Sequence, residues 1–301
     1  MEREIIDFAK RIFKFEEEDA GFFKIGNIYL VIANDMLSRS SDFPPKLSPK
    51  QIGWKVVTAS VSDLAAMGAK PTHFSYSMGL NRADIPIIEE LMKGIKEALD
   101  FYNMEFLSGD TNEAPELILD SVAIGFAENL LLRSNAKVGD VVCITGDLGR
   151  SYCSLLYLLG RVEEIEEKIL EKFLKPVARV DEGLKLAKLA NSAIDVSDGL
   201  SKELNLLANS SGVMIKVYED KIPIREEVSE FCISNDLNPI DVALNSGEEY
   251  ELLFTVSKDK LKELDFEFSI IGEVSKGKGV FLIGKETRPL LPGGWEHFSS
   301  R

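Results

Sequence analysis

The sequence predicts an α/β (α+β) protein of two domains, and three observations carry that reading. Short apolar runs bounded by Gly, Asp and Pro alternate with longer stretches of helical period, so strands and helices interleave. The chain has 301 residues, enough for one large domain or two ordinary ones. Turn signals crowd the stretch from Arg133-Ser134-Asn135-Ala136 to Val138-Gly139-Asp140, after which a new apolar run begins. The expected domains are residues 1–135 and 136–301.

Residues 1–14 form an amphipathic helix in this reading, with Ile5, Ile6, Phe8, Ile12 and Phe13 as its apolar positions. Residues 29–33 are a short strand that stops at Asn34-Asp35. The polar, Pro-rich stretch 38–49 is a mobile loop. Ser48 as N-cap, Pro49 at the first helical position and Gln51 closing a capping box start a helix that ends at Gly68. Ile52, Val56, Ala59 and Asp63 share one stripe of it, and Trp54, Val57, Val61 and Leu64 another. A helix apolar on most sides is buried, which carries Asp63 towards the interior. A strand at 71–79, a helix at 85–102, a strand at 104–107 ending in Ser108-Gly109-Asp110-Thr111 and a strand at 117–127 complete the first part. The second part opens with a strand at 141–145 and the turn Gly146-Asp147-Leu148-Gly149. Helices follow from about residue 150, at 162–173 and at 178–190. Then come a strand–turn–helix through Asp195, strands near 213–218 and 250–256, and a strand pair near 268–283.

Composition excludes several function classes. Hydrophobic residues make up 45% and charged residues 28%, as in globular proteins. The longest apolar runs fall far short of a membrane span, and the acidic N-terminus is no secretory signal. A net charge of −15 argues against a nucleic-acid partner, which needs a basic face. Cys143, Cys153 and Cys232 show no metal-ligand spacing and read as reduced, buried thiols of a cytoplasmic protein.

Six aspartates carry the functional signal: Asp19, Asp35, Asp63, Asp110, Asp195 and Asp198. They sit in turns flanked by small residues or on the buried helix, where a carboxylate is costly unless a cation meets it. Only two histidines are present, so hard divalent cations on oxygen ligands fit better than imidazole chemistry, and Mg²⁺ usually bridges carboxylates to phosphates. The segment Ser192-Ala-Ile-Asp195-Val-Ser197-Asp198-Gly199-Leu200 is the sharpest. Two carboxylates at a helix start, beside free backbone N–H groups, form a place where metal and phosphate meet. Each motif also has a plain structural reading: Ser197 or Asp198 as N-cap, Asp63 as a satisfied buried acid, Asp110 as a turn residue, Gly146–Gly149 as a tight strand-to-helix connection.

In order along the chain, Val61-SDLAAMGAKP, Ser108-GDT, Arg133-Ser-x-Ala-x-x-Gly139-Asp140, Val142-x-x-TGxLG, Ala193-IDVSDGL and Gly247-EEYELLF together resemble the thiamine-monophosphate kinase family. That family lies in the superfamily of aminoimidazole ribonucleotide synthetase, selenophosphate synthetase and the hydrogenase maturation protein HypE. The resemblance runs from about residue 15 to Trp295. It implies two α/β domains, with the N-terminal sheets of two subunits pairing into a barrel in a homodimer. It also implies direct transfer of the ATP γ-phosphoryl group to thiamine monophosphate, several Mg²⁺ ions and no covalent intermediate. Carried over by position, Asp19, Asn34, Asp35, Asp63, Asp110, Asp195 and Asp198 match metal ligands. Gly109, Asp110, Arg133 and Ser197 match ATP contacts, and Asp42, Glu248 and Trp295 match acceptor contacts.

The chain departs from the family pattern at four places. Gly-Asp-Asp-Ala-Ala is Glu17-Glu18-Asp19-Ala20-Gly21 here. The hydroxyl-rich Ser/Thr-Thr-Asp is Ala33-Asn34-Asp35. A substrate-side histidine falls on Asp42, and Gly-Asp-Thr-Thr-Arg becomes Gly109-Asp110-Thr111-Asn112-Glu113, losing a positive charge. Two other readings therefore stand beside the kinase: an ATP-using relative with a different acceptor, and a non-catalytic nucleotide- or metal-binding relative.

Overall fold

A computed structural model describes residues 1–297 of the chain as two sheets, each with its own helices. The first part contains α1 (Glu2–Phe13), β1 (Gly21–Ile25), β2 (Ile28–Ser38), α2 (Pro49–Ala66), β3 (Lys70–Leu80), α3 (Ile85–Phe101), β4 (Glu105–Glu113) and β5 (Ile118–Ala127). Its five strands lie in the order β1-β2-β5-β3-β4, antiparallel except for the β3–β4 pair. β5 alternates buried and half-buried residues, the period-2 signature of a strand with one face on a core. Helix α2 starts as its residues dictate. Ser48 Oγ accepts from the Gln51 amide at 3.3 Å, and Gln51 Oε1 accepts from the Ser48 amide at 2.9 Å.

The second part contains β6 (Val141–Thr145), α4 (Arg150–Leu158), α5 (Glu167–Leu174), α6 (Val180–Leu189), β7 (Ser192–Asp195), α7 (Leu200–Ser211), β8 (Met214–Tyr218), α8 (Glu226–Ser234), α9 (Pro239–Asn245), β9 (Leu252–Val256), β10 (Phe268–Ser275), β11 (Gly279–Ile283) and β12 (Thr287–Pro289). The seven-stranded mixed sheet runs β12-β11-β8-β10-β6-β9-β7. All five residues of β6 and of β9 are buried, which is why both strands read as unbroken apolar runs.

The two parts meet along α2. Trp54 Nε1 donates to the Pro176 carbonyl at 2.6 Å, and Ser62 Oγ donates to Asp195 Oδ2 at 2.6 Å. Helix α6 crosses α2 so closely that a Cβ on Gly183 would lie 2.2 Å from the Ala65 carbonyl oxygen.

The structure corrects several sequence expectations. β2 does not stop at Asn34-Asp35 but continues to Ser38, because β5 supplies partners for the whole length, Asp35 opposite Ser121 among them. β4 likewise runs through Ser108-Gly109-Asp110-Thr111 to Glu113, held in parallel register by β3. The strands at 268–275 and 279–283 are no pair: β8 lies between them, antiparallel to one and parallel to the other. The stretch expected to be a mobile loop is anchored by buried Phe43 and Leu47, and by Asp42 Oδ2, which accepts from the Ser38 amide at 2.8 Å. The helix expected at 162–173 begins only at Glu167, and β1, α8, α9 and β12 are not among the expected elements.

The close α2–α6 crossing is testable. Gly183→Ala should cost about 1–3 kcal/mol of stability, the range for forcing a methyl into a filled contact. Urea unfolding measures it, and an unchanged midpoint would mean that the helices are not this close.

Candidate active site

The end of β7, the last turns of α2 and the approach to β1 converge on a cavity of about 1200 Å³ between the two parts. Glu16–Asp19, Asp63 and Arg133 line it from one side. Asp195, Ser197, Asp198 and Glu203 line it from the other, and the C-terminal segment through Trp295 closes an edge. Asp195 is the last residue of β7, and Asp63 follows the serine that hydrogen-bonds it across the domains. Asp19, Asp63 and Asp195 bring one carboxylate oxygen each within 4.8 Å of one another.

Asp19 Oδ2, and Oδ2 of the neighbouring Asp35, are buried with no hydrogen-bond partner. Asp19 keeps one strong contact, with Arg133 Nη2 at 2.7 Å from Oδ1. The Arg133 amide in turn donates to Glu18 Oε2 at 2.7 Å. Burial, then the Asp19 charge, push the Asp195 carboxyl up to about 8. Burial raises Asp35 to about 6, with the charges of Asp120 and Asp198 adding to the shift, while hydrogen bonds from Ser60 and Asp63 act against it. Asp63 is raised well above the usual carboxylate range by burial and then by Asp35, Asp195 and Asp19. Glu203 is raised by burial and by Asp198 and Asp195. Buried carboxyls that raise one another ionise together more readily when a cation joins them. An all-oxygen donor set of this kind suits a hard divalent ion such as Mg²⁺.

The turn after β7 is clasped by the segment 246–251. The amides of Glu249 and Tyr250 donate to the Val196 carbonyl, and the Glu248 amide donates to the Ser197 carbonyl at 2.6 Å. Glu248 and Tyr250 take positive φ, 57° and 52°, an arrangement non-glycine residues adopt only under surrounding constraint. The constraint is an ionic cluster. Glu249 Oε1 accepts from the Gly149 amide at 2.7 Å, while Lys172 pairs with Glu249 and Glu251 at 2.8 Å each. Arg179 Nε meets Glu251 Oε2 at 2.7 Å. The glycine-flanked turn Gly146–Gly149 thus belongs to a charge-locked connection, with Asp147 held by Arg150, Arg225 and Lys172. On the other side of the turn the Trp295 amide donates to the Asp198 carbonyl at 3.0 Å, and Lys202 Nζ meets Asp198 Oδ2 at 2.6 Å.

Of the residues singled out in the sequence, Asp19, Asp63, Asp195, Asp198, Arg133, Ser197 and Trp295 line one cavity, and Asp35 lies against Asp63. Asp42 and Glu248 stand together outside the lining, joined by Lys55: its Nζ is 2.5 Å from Glu248 Oε1 and 2.8 Å from the Asp42 carbonyl. Asn34 turns to Asp120 Oδ1 at 3.0 Å. Gly109 and Asp110 are exposed on β4, the edge strand, away from the cavity within one copy. Lys55, Glu18 and Glu203 were not anticipated. Glu203 had a signal, an acid beside the apolar stripe Leu200, Leu204 and Leu207; Lys55 had a fainter one, a lysine inside an apolar helix.

The fold and this acidic interdomain cleft define a protein of the AIR synthase related class. Residues 17–127 match the family "AIR synthase related protein, N-terminal domain", and residues 137–285 match "AIR synthase related protein, C-terminal domain". The chain is 46% identical over 302 residues to a thiamine-monophosphate kinase of Pyrococcus abyssi, covering 99% of this chain and 96% of that one. It is 48% identical over 282 residues to the Pyrococcus horikoshii enzyme, covering 93% and 90%. A solved complex of AaThiL with AMPPCP and TMP superposes with a TM-score of 0.91 at 32% identity, covering 98% of this chain and 96% of that one. The chain belongs to the thiamine-monophosphate kinase family. Among the described residues no helix is long and apolar enough to cross a membrane.

The raised carboxyls fix how stability responds to pH. Asp195 binds its proton more tightly folded than unfolded, so without metal the fold loses stability as pH rises from about 4 towards about 8. In chelator the melting temperature should fall across that window. Added Mg²⁺ should raise it more at pH 8 than at pH 5, where protons compete with the ion. Equal metal shifts at both pH values in thermal scans would contradict a carboxylate site.

Proposed function

We propose that this chain transfers the γ-phosphoryl group of ATP to thiamine monophosphate, giving thiamine diphosphate and ADP. The observation that carries the reading is the triad Asp19, Asp63 and Asp195, which lines a cavity that also holds Arg133 and in which Asp19 Oδ2 is buried without a partner. The family relationship supplies the substrates. The residue roles follow from chemistry. Asp19, Asp63 and Asp195, with Asp35 and Asp198 beside them, are assigned as Mg²⁺ ligands; Asn34 and Asp110 are assigned the remaining ligand positions. Mg²⁺ bound there neutralises the phosphates and the carboxylates at once.

In the reaction an oxygen of the acceptor phosphate bonds to the γ-phosphorus while the bridging oxygen–phosphorus bond to ADP breaks. Both partners are anions and need little more than positioning and charge compensation. Arg133, fixed at its amide by Glu18 and at its guanidinium by Asp19, is the fork that orients phosphate oxygens. Ser197 and Gly109 contribute to the nucleotide site. On the acceptor side Glu248 offers a carboxylate and Trp295 a ring face to the cationic thiazolium, with Asp42 beside Glu248 across Lys55.

The exposed position of Gly109 and Asp110 has an explanation in the proposed homodimer. β4 is exposed along all nine residues, with Phe106 and Leu107 about half exposed. Such an edge invites pairing. A second copy covering β4 supports the barrel arrangement and puts Asp110 next to another molecule. We place the division between the domains near residue 135, in the segment between β5 and β6.

Three outcomes test this reading. Wild-type protein with ATP and Mg²⁺ should form thiamine diphosphate from thiamine monophosphate, and phosphate-release assays with aminoimidazole precursors should be blank. Asp195→Asn and Asp63→Asn should each lower kcat by about 10² or more, the scale of lost electrostatic stabilisation, with an unchanged circular dichroism spectrum. Near-wild-type turnover in both would remove the metal-cluster argument. Leu107→Asp should shift the sedimenting species towards monomer and reduce activity; a dimer of full activity would place the interface elsewhere.

A further inference from the structure

Lys55 lies in α2 with a side chain only 2% exposed, among buried residues that are apolar apart from Thr58, Ser60 and Ser62. A buried ammonium is costly unless it is fully paired. Here its partners come from both sides of the domain boundary. Nζ is 2.5 Å from Glu248 Oε1, donates to the Asp42 carbonyl at 2.8 Å, and sits 4.6 Å from the centre of the Phe173 ring. Backbone bonds hold the Glu248 main chain to Ser197, but the Lys55 contact is the ion pair that directs its carboxylate.

We propose that Lys55 is a positioning residue for the acceptor: its ammonium fixes the Glu248 carboxylate and the Asp42 backbone as one wall that receives the cationic end of the substrate. This rests on the kinase reading above and adds a residue to it. Lys55 touches neither the carboxylate triad nor Arg133. Its removal therefore weakens acceptor binding and spares the nucleotide. One Glu248 oxygen is engaged by the lysine, which leaves the other for the substrate cation.

The test compares Lys55→Met, Lys55→Arg, Glu248→Gln and the double variant Lys55→Met/Glu248→Gln with wild type, in steady-state kinetics with both substrates varied. Lys55→Met should raise KM for thiamine monophosphate at least tenfold while KM for ATP stays within twofold. Lys55→Arg should recover most of the loss. The double variant should be no worse than Glu248→Gln alone, because the lysine acts through that carboxylate. It also leaves no unpaired buried charge, so this comparison still decides if Lys55→Met does not fold. An unchanged KM for thiamine monophosphate in Lys55→Met overturns the assignment. So does a parallel rise in KM for ATP, or losses that multiply in the double variant. If wild-type protein does not phosphorylate thiamine monophosphate, the kinase reading itself fails and this inference with it. Wild-type turnover with an insensitive Lys55→Met removes Lys55 alone.

Discussion

Carboxylates gathered out of water cannot all carry charge unless a cation balances them, and the architecture is organised by that constraint. Asp19, Asp63 and Asp195 come from three segments far apart in the chain, yet their oxygens approach within 4.8 Å. Nothing in local propensity brings them together. The fold does so by running α2 between the two sheets and ending β7 against it, with the Ser62–Asp195 hydrogen bond as the joint. The free energy that concentrates this negative charge comes from the apolar packing around it, where Val61, Leu64, Ile194 and Val196 are buried. A cation placed there would offset what the crowding costs, so the affinity of this cluster for a metal would be built from its own repulsion.

The second ordering device lies beyond the triad. The segment 246–251 carries two residues at positive φ, which would relax if free. Glu249 and Glu251 point away from the cleft into the lock of Lys172 and Arg179, while Glu248 points back to Lys55. Alternate side chains thus do opposite work: the inner pair anchors the loop, and the outer one is presented. Cations hold Glu251 down to about 2 even though burial alone raises it. Asp195, buried beside Asp19 and Asp35 with Ser62 as its hydrogen-bond partner, is displaced the opposite way.

Much of this was legible in the sequence, and what was not has physical reasons. The capping box at Ser48 and the all-round apolar helix placed Asp63 inside without any tertiary information, because caps and periodicity are local. The strand–Asp–x–x–Asp–helix pattern located Asp195 and Asp198 for the same reason. Strand ends at Asn34-Asp35 and Ser108–Thr111 misled, since polar residues look like stops. There a partner strand carries the ladder onward, and ladder length is a property of two segments. β10 and β11 looked like neighbours because they adjoin in sequence, but β8 takes the place between them. Lys55 escaped notice because a single lysine in an apolar helix is intelligible only once its carboxylate partner, 193 residues later, is seen across the boundary.

The Glu17-Glu18 departure shows how this chain absorbs extra charge next to an already acidic cleft. Two glutamates where the family has Gly-Asp ought to worsen repulsion. Each instead finds a donor outside the triad. Glu17 takes Arg3 at 2.8 Å and Lys10 at 3.0 Å, both from α1, and its carboxyl is lowered. Glu18 accepts the Arg133 amide, which positions the one guanidinium bound to Asp19. The first glutamate ties the N-terminal helix along the cavity edge, and the second accepts from the backbone of the arginine that pairs with Asp19. The altered opening motif is thus taken up by contacts to α1 and to Arg133, although burial, with Asp19 and Glu16 beside it, still raises the Glu18 carboxyl.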